Sequence, residues 1–292
     1  MKDYFLGGLT LREWASELYD NINEDRILGR AAELGYYFMF ALFPMLIFLT
    51  SLVGFLPEVR ETIFKSLARV VPGEAMTLVH QTIMDVTRNR NGGLVSFGVL
   101  GALWAASGGV TAVMDTLNIA YKVEEARSFW KVRLIAIGLT ILLSVLIVGG
   151  TVLIMFGDRF SVWLAQELEL GAGFAIFWSV VDYLLALALL FLGLQLIYYF
   201  GPNVKQEWRW ISPGSVFAVV SLIVASLLLS LYLRVAPDYS ATYGSLGAVV
   251  VLMLWLYLAG IVVLIGGEIN SIRTRAIGEP VKLKEIPEAQ TI

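Results

Sequence analysis

GGLVSFGVLGALWAASGGVTAVMDTLNIAYKVEEARSFWKVR, residues 92–133, decides what kind of chain this is. From Asn91 to Met114 it carries no charge and is crowded with Gly, Ala and Ser, then it turns polar at Asp115 and Asn118. A helix of that uncharged length rises about 36 Å, enough to cross the hydrocarbon core of a bilayer. Gly101, Ala105 and Gly109 recur on one stripe, with Ala102 and Ala106 beside it. In lipid, small residues at that spacing let neighbouring backbones approach closely. The stretch therefore predicts a helix at the centre of a membrane bundle, with its polar end at one face and a basic, aromatic loop following.

The remainder of the chain repeats the pattern. No charge falls between Glu33 and Glu58, Arg133 and Asp158, Arg209 and Arg234, or Asp238 and Glu268, and Glu169–Lys205 contains only Asp182. Charged residues make up 15% of the whole, well under the roughly 25% of a soluble domain, and they are segregated into the connections. Six spans are predicted at 34–56, 94–116, 134–156, 173–200, 212–235 and 243–269. The fold class expected is an all-α membrane protein of six transmembrane helices with amphipathic interfacial helices. Long continuous apolar runs exclude an alternating β-barrel pattern. The first apolar run starts near Leu34, behind mixed charges, so a cleaved signal peptide is not expected.

Residues 1–32 form an amphipathic N-terminal segment in which Trp14, Leu18 and Ile22 recur every four residues. Such a face suits either the membrane surface or the side of the bundle. The domain 33–270 holds the six helices. Within it, residues 57–91 read as an amphipathic periplasmic hairpin broken at Pro72-Gly73, and they include the single histidine, His80. Residues 271–292 read as a disordered cytoplasmic tail. With both termini inside, 14 of the 21 Lys and Arg residues lie in cytoplasmic segments, and the two shorter outer loops carry one each. The positive-inside rule selects that orientation.

Several stretches resemble the YihY/BrkB family of bacterial inner-membrane proteins. They are RAAELGYYFMFALFPML (30–46), LWAASGGVTAVMDTLNIAYKVEEARSFWKVRLIAIGLT (103–140), WRWISPG (208–214) and YGSLGAVVVLMLWLYLAGIVVLIGGEIN (243–270). The resemblance implies six transmembrane helices in the bacterial cytoplasmic (inner) membrane, associations with virulence and envelope integrity, and a link to lipid export. The family also carries an older "ribonuclease BN" label. The residues argue against that label, because metal-dependent nucleases need clustered His, Asp and Glu. Here there is one His, no Cys and no HExxH or phosphate-loop motif. No enzyme activity, cofactor or metal is expected. Nucleic acid is not an expected partner either, since no basic face stands out.

Three groups of residues are candidates for function. Glu33, Asp115, Asn118, Glu268 and Asn270 fall at the cytoplasmic face, flanked by Arg30, Lys131, Arg133 and Arg273. They are expected to line one polar pocket between spans one, two and six; the competing reading is a salt-bridge lattice that fixes helix ends. Asp182 is the one ionisable residue deep within a span, a position that marks a functional candidate, with Arg159 and Arg234 as possible partners. Arg209, between Trp208 and Trp210, is a candidate lipid head-group contact. The serines of span five, Ser212, Ser215, Ser221, Ser226 and Ser230, suit close helix packing. The expected function is transport or handling of a lipid-like or amphipathic envelope molecule, with membrane lipid as partner. The alternative is a non-transporting scaffold for an envelope protein partner.

Overall fold

The computed structural model of the chain describes residues 6–53, 92–167, 172–235, 239–277 and 282–283. The expected hairpin at 57–91, with His80, and the end of the tail lie outside the described residues. Among the described residues seven helices follow in order: α1 (Leu11–Glu24), α2 (Ile27–Val53), α3 (Gly92–Ala120), α4 (Phe129–Glu167), α5 (Ala172–Phe200), α6 (Pro213–Val235) and α7 (Tyr239–Ala276). A two-residue antiparallel pairing joins β1 (Val204–Lys205) to β2 (Lys282–Leu283). The described residues are otherwise all-α.

Local chemistry explains the helix ends. Thr10 caps α1 with a reciprocal box: its hydroxyl accepts from Glu13 N at 3.3 Å while its own N–H donates to Glu13 Oε2 at 2.9 Å. α2 begins as soon as Arg26 reverses the chain at φ 50°, seven residues ahead of the predicted span, and runs on through Pro44. α3 closes at Lys122, φ 54°, where Val123 N donates back to Asn118 O at 2.9 Å. Ser212 caps α6, accepting from Ser215 N at 3.2 Å, and Pro213 fills the first helical position. α7 continues to Ala276, so residues 271–276, expected in a disordered tail, are its last turns, and Lys282–Leu283 pair with β1.

The six long helices close into a ring. Each of α2 to α7 packs on the next in sequence, and α7 returns to α2. α7 further touches α3 and α1, and α2 further touches α1 and α4, so these two helices share the central place that the small-residue pattern assigned to α3. One end of the ring gathers the first turns of α2, α4 and α6 and the last turns of α3, α5 and α7. Its core is Ile27, Ala31 and Leu34 against Leu117, Tyr198, Val219 and Leu264. A second cluster joins Met114 to Val132, Ala136 and Leu196. α1 lies across this end and inserts Ile22 at the edge of the core.

The stripe on α3 sits one residue round from its predicted place. Ala102, Ala106 and Gly109 are buried, whereas Gly101 and Ala105 are exposed. A Cβ on Gly109 would stand 3.3 Å from Ala41 Cβ, so its absence sets how closely α2 and α3 approach.

The outer surface is apolar. Leu227, Leu228 and Leu231 on α6 are 65%, 61% and 58% exposed, and α4 and α5 present Leu134, Ile147, Phe177 and Leu184 likewise. A continuous belt of this kind is incompatible with water and fits hydrocarbon. Among the described residues, four helices are long and apolar enough to cross a membrane: Phe129–Leu153, Val180–Phe200, Pro213–Leu233 and Val249–Ala276.

Candidate functional site

The gathered end of the ring is where the charges are, and they divide into two places. Glu33 and Asp115 meet at a groove between α2 and α3 with a volume of about 300 Å³. Arg30, Glu33 and Tyr37 line it from α2, Thr111, Asp115 and Thr116 from α3, and Arg133 reaches in from α4. The Arg30 guanidinium is steadied by its Nε, which donates to Asp25 O at 2.8 Å. Arg133 lies over the Trp104 ring, 4.1 Å from its centroid, and donates to the Trp104 carbonyl. The groove thus pairs two fixed cations with two exposed acids. Around it stand exposed rings: Tyr36 packs on Phe40 at 4.6 Å and on Tyr37 at 5.9 Å, and Trp104 meets Trp130 at 6.2 Å.

Asn118, expected in the same pocket, faces elsewhere. It is buried and organises a clasp between the α3–α4 loop and the end of α5. Its Nδ2 donates to Glu125 Oε2 at 2.8 Å, and its Oδ1 accepts from Asn203 N at 2.7 Å. Arg127, buried, completes the clasp: Nε donates to Glu125 Oε1 at 2.7 Å, and the terminal nitrogens reach Phe200 O at 3.2 Å and Gly201 O at 2.8 Å. Burial pushes the Glu125 carboxyl up, but the Arg127 side-chain and backbone donors and Asn118 outweigh it and hold the carboxyl below the ordinary glutamate range.

Glu268 and Asn270 occupy the inner side of α7, away from the groove. Gly266 and Gly267 bring this helix hard against Tyr198, Gly214 and Leu117. Asn270 Oδ1 accepts from Gly214 N at 2.8 Å and so satisfies one free amide of the α6 start. It also lines a cavity of about 30 Å³ with Tyr121, Tyr198, Gln206 and Arg209, room for a single water. Arg209, the expected head-group contact, is therefore half-buried at this inner cavity. Burial, and next the nearby Glu268, push the Tyr121 phenol above its ordinary value. The predicted single pocket is corrected to a groove holding Glu33 and Asp115 and a separate interior cluster holding Glu268 and Asn270, because α2 packs directly on α7 between them. Asn118 and Asn270 instead hold neighbouring backbone and side-chain groups at helix ends through hydrogen bonds.

Asp182 is 6% exposed on α5, tucked into the space left by the missing side chain of Gly157 on α4. Its Oδ2 has no donor among the described residues. The side chains of Arg159 and Arg234 lie outside the described residues. Sequence reasoning missed Asp25, Glu125, Arg127 and Asn203. The signal available for three of them was the run Glu124-Glu125-Ala126-Arg127 followed, across one helical hairpin, by Pro202-Asn203 at a chain reversal.

The profile of the family described as Virulence factor BrkB matches residues 18–290. The chain belongs to the BrkB family. Among relatives, it is 38% identical to the ribonuclease-like protein YfkH of Bacillus subtilis, over 88% of this chain and 93% of that protein. It is 24% identical to a UPF0761 membrane protein of Tolumonas auensis, over 90% of this chain and 86% of that one. It is 29% identical to a UPF0761 membrane protein of Verminephrobacter eiseniae over 61% of this chain, which amounts to 41% of the longer protein. No solved structure matches the chain. BrkB membership and the apolar helices make this a multi-pass membrane protein.

Proposed function

We propose that this protein spans the bacterial inner membrane six times, with both termini in the cytoplasm, and transports or handles a lipid-like or amphipathic envelope molecule. The observation that carries the reading is the α2–α3 groove. It is balanced in charge, ringed by exposed aromatics, and set at the polar end of an apolar ring of helices. A charged head held by Arg30, Arg133, Glu33 and Asp115, with its tail laid along the neighbouring apolar surface, suits that geometry. Two further points support six spans. α2 and α3, at 27 and 29 residues, are longer than α6 at 23, and successive helices alternate in direction at the shared polar end.

No chemistry is assigned to the site. The name of the Bacillus subtilis relative contains "ribonuclease-like", but one His and no Cys give a nuclease centre little to work with.

The test is the full-length protein in liposomes carrying a fluorescent phospholipid in both leaflets. Transbilayer exchange, read with a membrane-impermeant quencher, is expected to rise with protein. It should fall about tenfold or more in Glu33→Ala/Asp115→Ala, the loss of one or two charge-assisted hydrogen bonds. No exchange by wild type, together with cross-linking to a membrane or periplasmic protein in cells, would replace this reading with the scaffold. Turnover of RNA by the purified protein would overturn both.

A further inference from the structure

The α2–α3 groove holds four charges that do not neutralise one another. Among the described residues no ion pair joins Arg30 or Arg133 to Glu33 or Asp115; the pairs formed are Lys122–Glu24, Arg127–Glu125 and Arg275–Glu17. Both guanidinium groups turn to backbone carbonyls instead, Arg30 to Asp25 O at 2.8 Å and Arg133 to Trp104 O. Arg133 Nε is buried with no acceptor among the described residues. Opposite charges lining about 300 Å³ and left unpaired by the chain suit a ligand that carries both signs. The charges are also ordered in depth. α2 and α3 run antiparallel with Gly109 set against Phe38 and Ala41, so Asp115 comes level with Glu33. Arg30 stands one turn nearer the polar end. Arg133 reaches the other way. The Trp104 carbonyl that holds it lies eleven residues before Asp115, about 16 Å further in along the axis of α3. The Asp115 side chain leans back along the helix and narrows that gap. From rim to interior the order is cation, two acids, cation, and the exposed Phe40 and Leu100 form the apolar flank.

Taking the groove as the lipid site proposed above, we propose that it selects a zwitterionic phospholipid whose head ends in a primary ammonium, the phosphoethanolamine type. In such a lipid the phosphate is joined to the glycerol and the ammonium stands outermost, two carbons away. With its tails on the apolar flank, the lipid sets its phosphate towards Arg133 and its ammonium between Glu33 and Asp115. Each acid accepts a charge-assisted hydrogen bond from the ammonium, and Arg30 offsets the charge of the second carboxylate. An anionic head ending in hydroxyls brings no cation to the two acids and adds a negative charge beside them. A trimethylammonium head carries the charge but has no N–H to donate to a carboxylate.

Binding is read apart from translocation. The full-length protein in nonionic detergent is mixed with equimolar dihexanoyl phosphatidylethanolamine, phosphatidylcholine and phosphatidylglycerol, and the lipids it retains are counted by native mass spectrometry. The ethanolamine lipid should exceed each of the others by about tenfold or more, the weight of one charge-assisted hydrogen bond. Glu33→Gln/Asp115→Asn should level its ratio to the choline lipid, whereas Arg133→Gln should weaken all three and keep their order. Gly108→Leu adds a side chain on the groove wall, where a Cβ meets nothing within 4 Å, and should abolish retention. It serves as the test if the double variant does not fold. Equal retention of the three lipids overturns the proposal, as does retention of none or a preference for the glycerol or choline head. A preference that survives in a folded double variant, or in folded Gly108→Leu, overturns it as well. Preference without exchange in the liposome assay removes translocation and leaves the head recognition standing; exchange without preference does the reverse.

Discussion

Gly214→Ala puts the tight packing of α6 on α7 to the test. A Cβ on Gly214 would stand 2.0 Å from the Gly266 carbonyl oxygen, 2.6 Å from Asn270 Nδ2 and 2.7 Å from Asn270 Cγ. Real Cβ contacts stay above 3.0 Å, so the α7 backbone must recede by at least about 1 Å. A carbonyl inside a helix cannot turn aside alone, so the recession moves α7 against α6. It opens the 2.8 Å bond from Gly214 N to Asn270 Oδ1 and disturbs Tyr198 Oη, which donates to Val263 O at 2.9 Å. Overpacking costs about 1–3 kcal/mol, and stranding a buried amide adds about 1–3 kcal/mol. A total near 3 kcal/mol lowers the melting temperature by roughly 5–12 °C. Thermal unfolding in detergent, followed by size-exclusion chromatography or tryptophan fluorescence, measures it. Gly138→Ala on α4 is the control: nothing lies within 4 Å of its Cβ, so it should be neutral or stabilise by up to about 1 kcal/mol. If Gly214→Ala melts with the wild type, or Gly138→Ala loses as much, the close α6–α7 approach is wrong.

Arg127→Ala leaves Glu125 and the carbonyls of Phe200 and Gly201 without their donors and should cost about 3–5 kcal/mol, with Arg127→Lys recovering little, because a lysine cannot reproduce the forked geometry; melting of the two variants checks it. The Glu125 carboxyl is depressed in the folded state, so the unfolded chain takes up its proton first. Its contribution is complete above the ordinary glutamate pKa and fades as pH falls through the lower folded value. A melting-temperature profile in acid should accordingly fall more steeply for the wild type than for Glu125→Gln. Ser226→Ala removes the acceptor of Trp255 Nε1 at 3.1 Å and should cost about 0.5–1 kcal/mol, a small shift in the same assay that a membrane helix-pair serine predicts.

Helices were legible because uncharged runs of membrane length have few alternatives. Their facing was not. In water, apolar residues point inward and reveal the azimuth of a helix, but here lipid and core are both apolar, so α5 presents Leu184 outward and Leu194 inward with equal comfort. That is why the α3 stripe was misplaced by one residue: Gly101 and Gly109 are chemically identical, and only the position of Phe38 and Ala41 on the neighbouring helix tells them apart. The polar end was legible as a layer, since Glu33, Asp115, Asn118, Glu268 and Asn270 do lie near one face. Its division was not, because it depends on α2 lying against α7, a contact between helices far apart in the chain.

The length of α4 has a mechanical consequence. Its uncharged stretch ends at Gly157, yet the helix runs to Glu167, 39 residues in all or about 58 Å. A rod of that length pinned at Val132 and Ala136 is a lever. Each degree of tilt at the pinned end sweeps the far tip through about 1 Å, so a shift at Arg133 too slight to alter a hydrogen bond would be displayed, magnified, on the opposite side of the membrane.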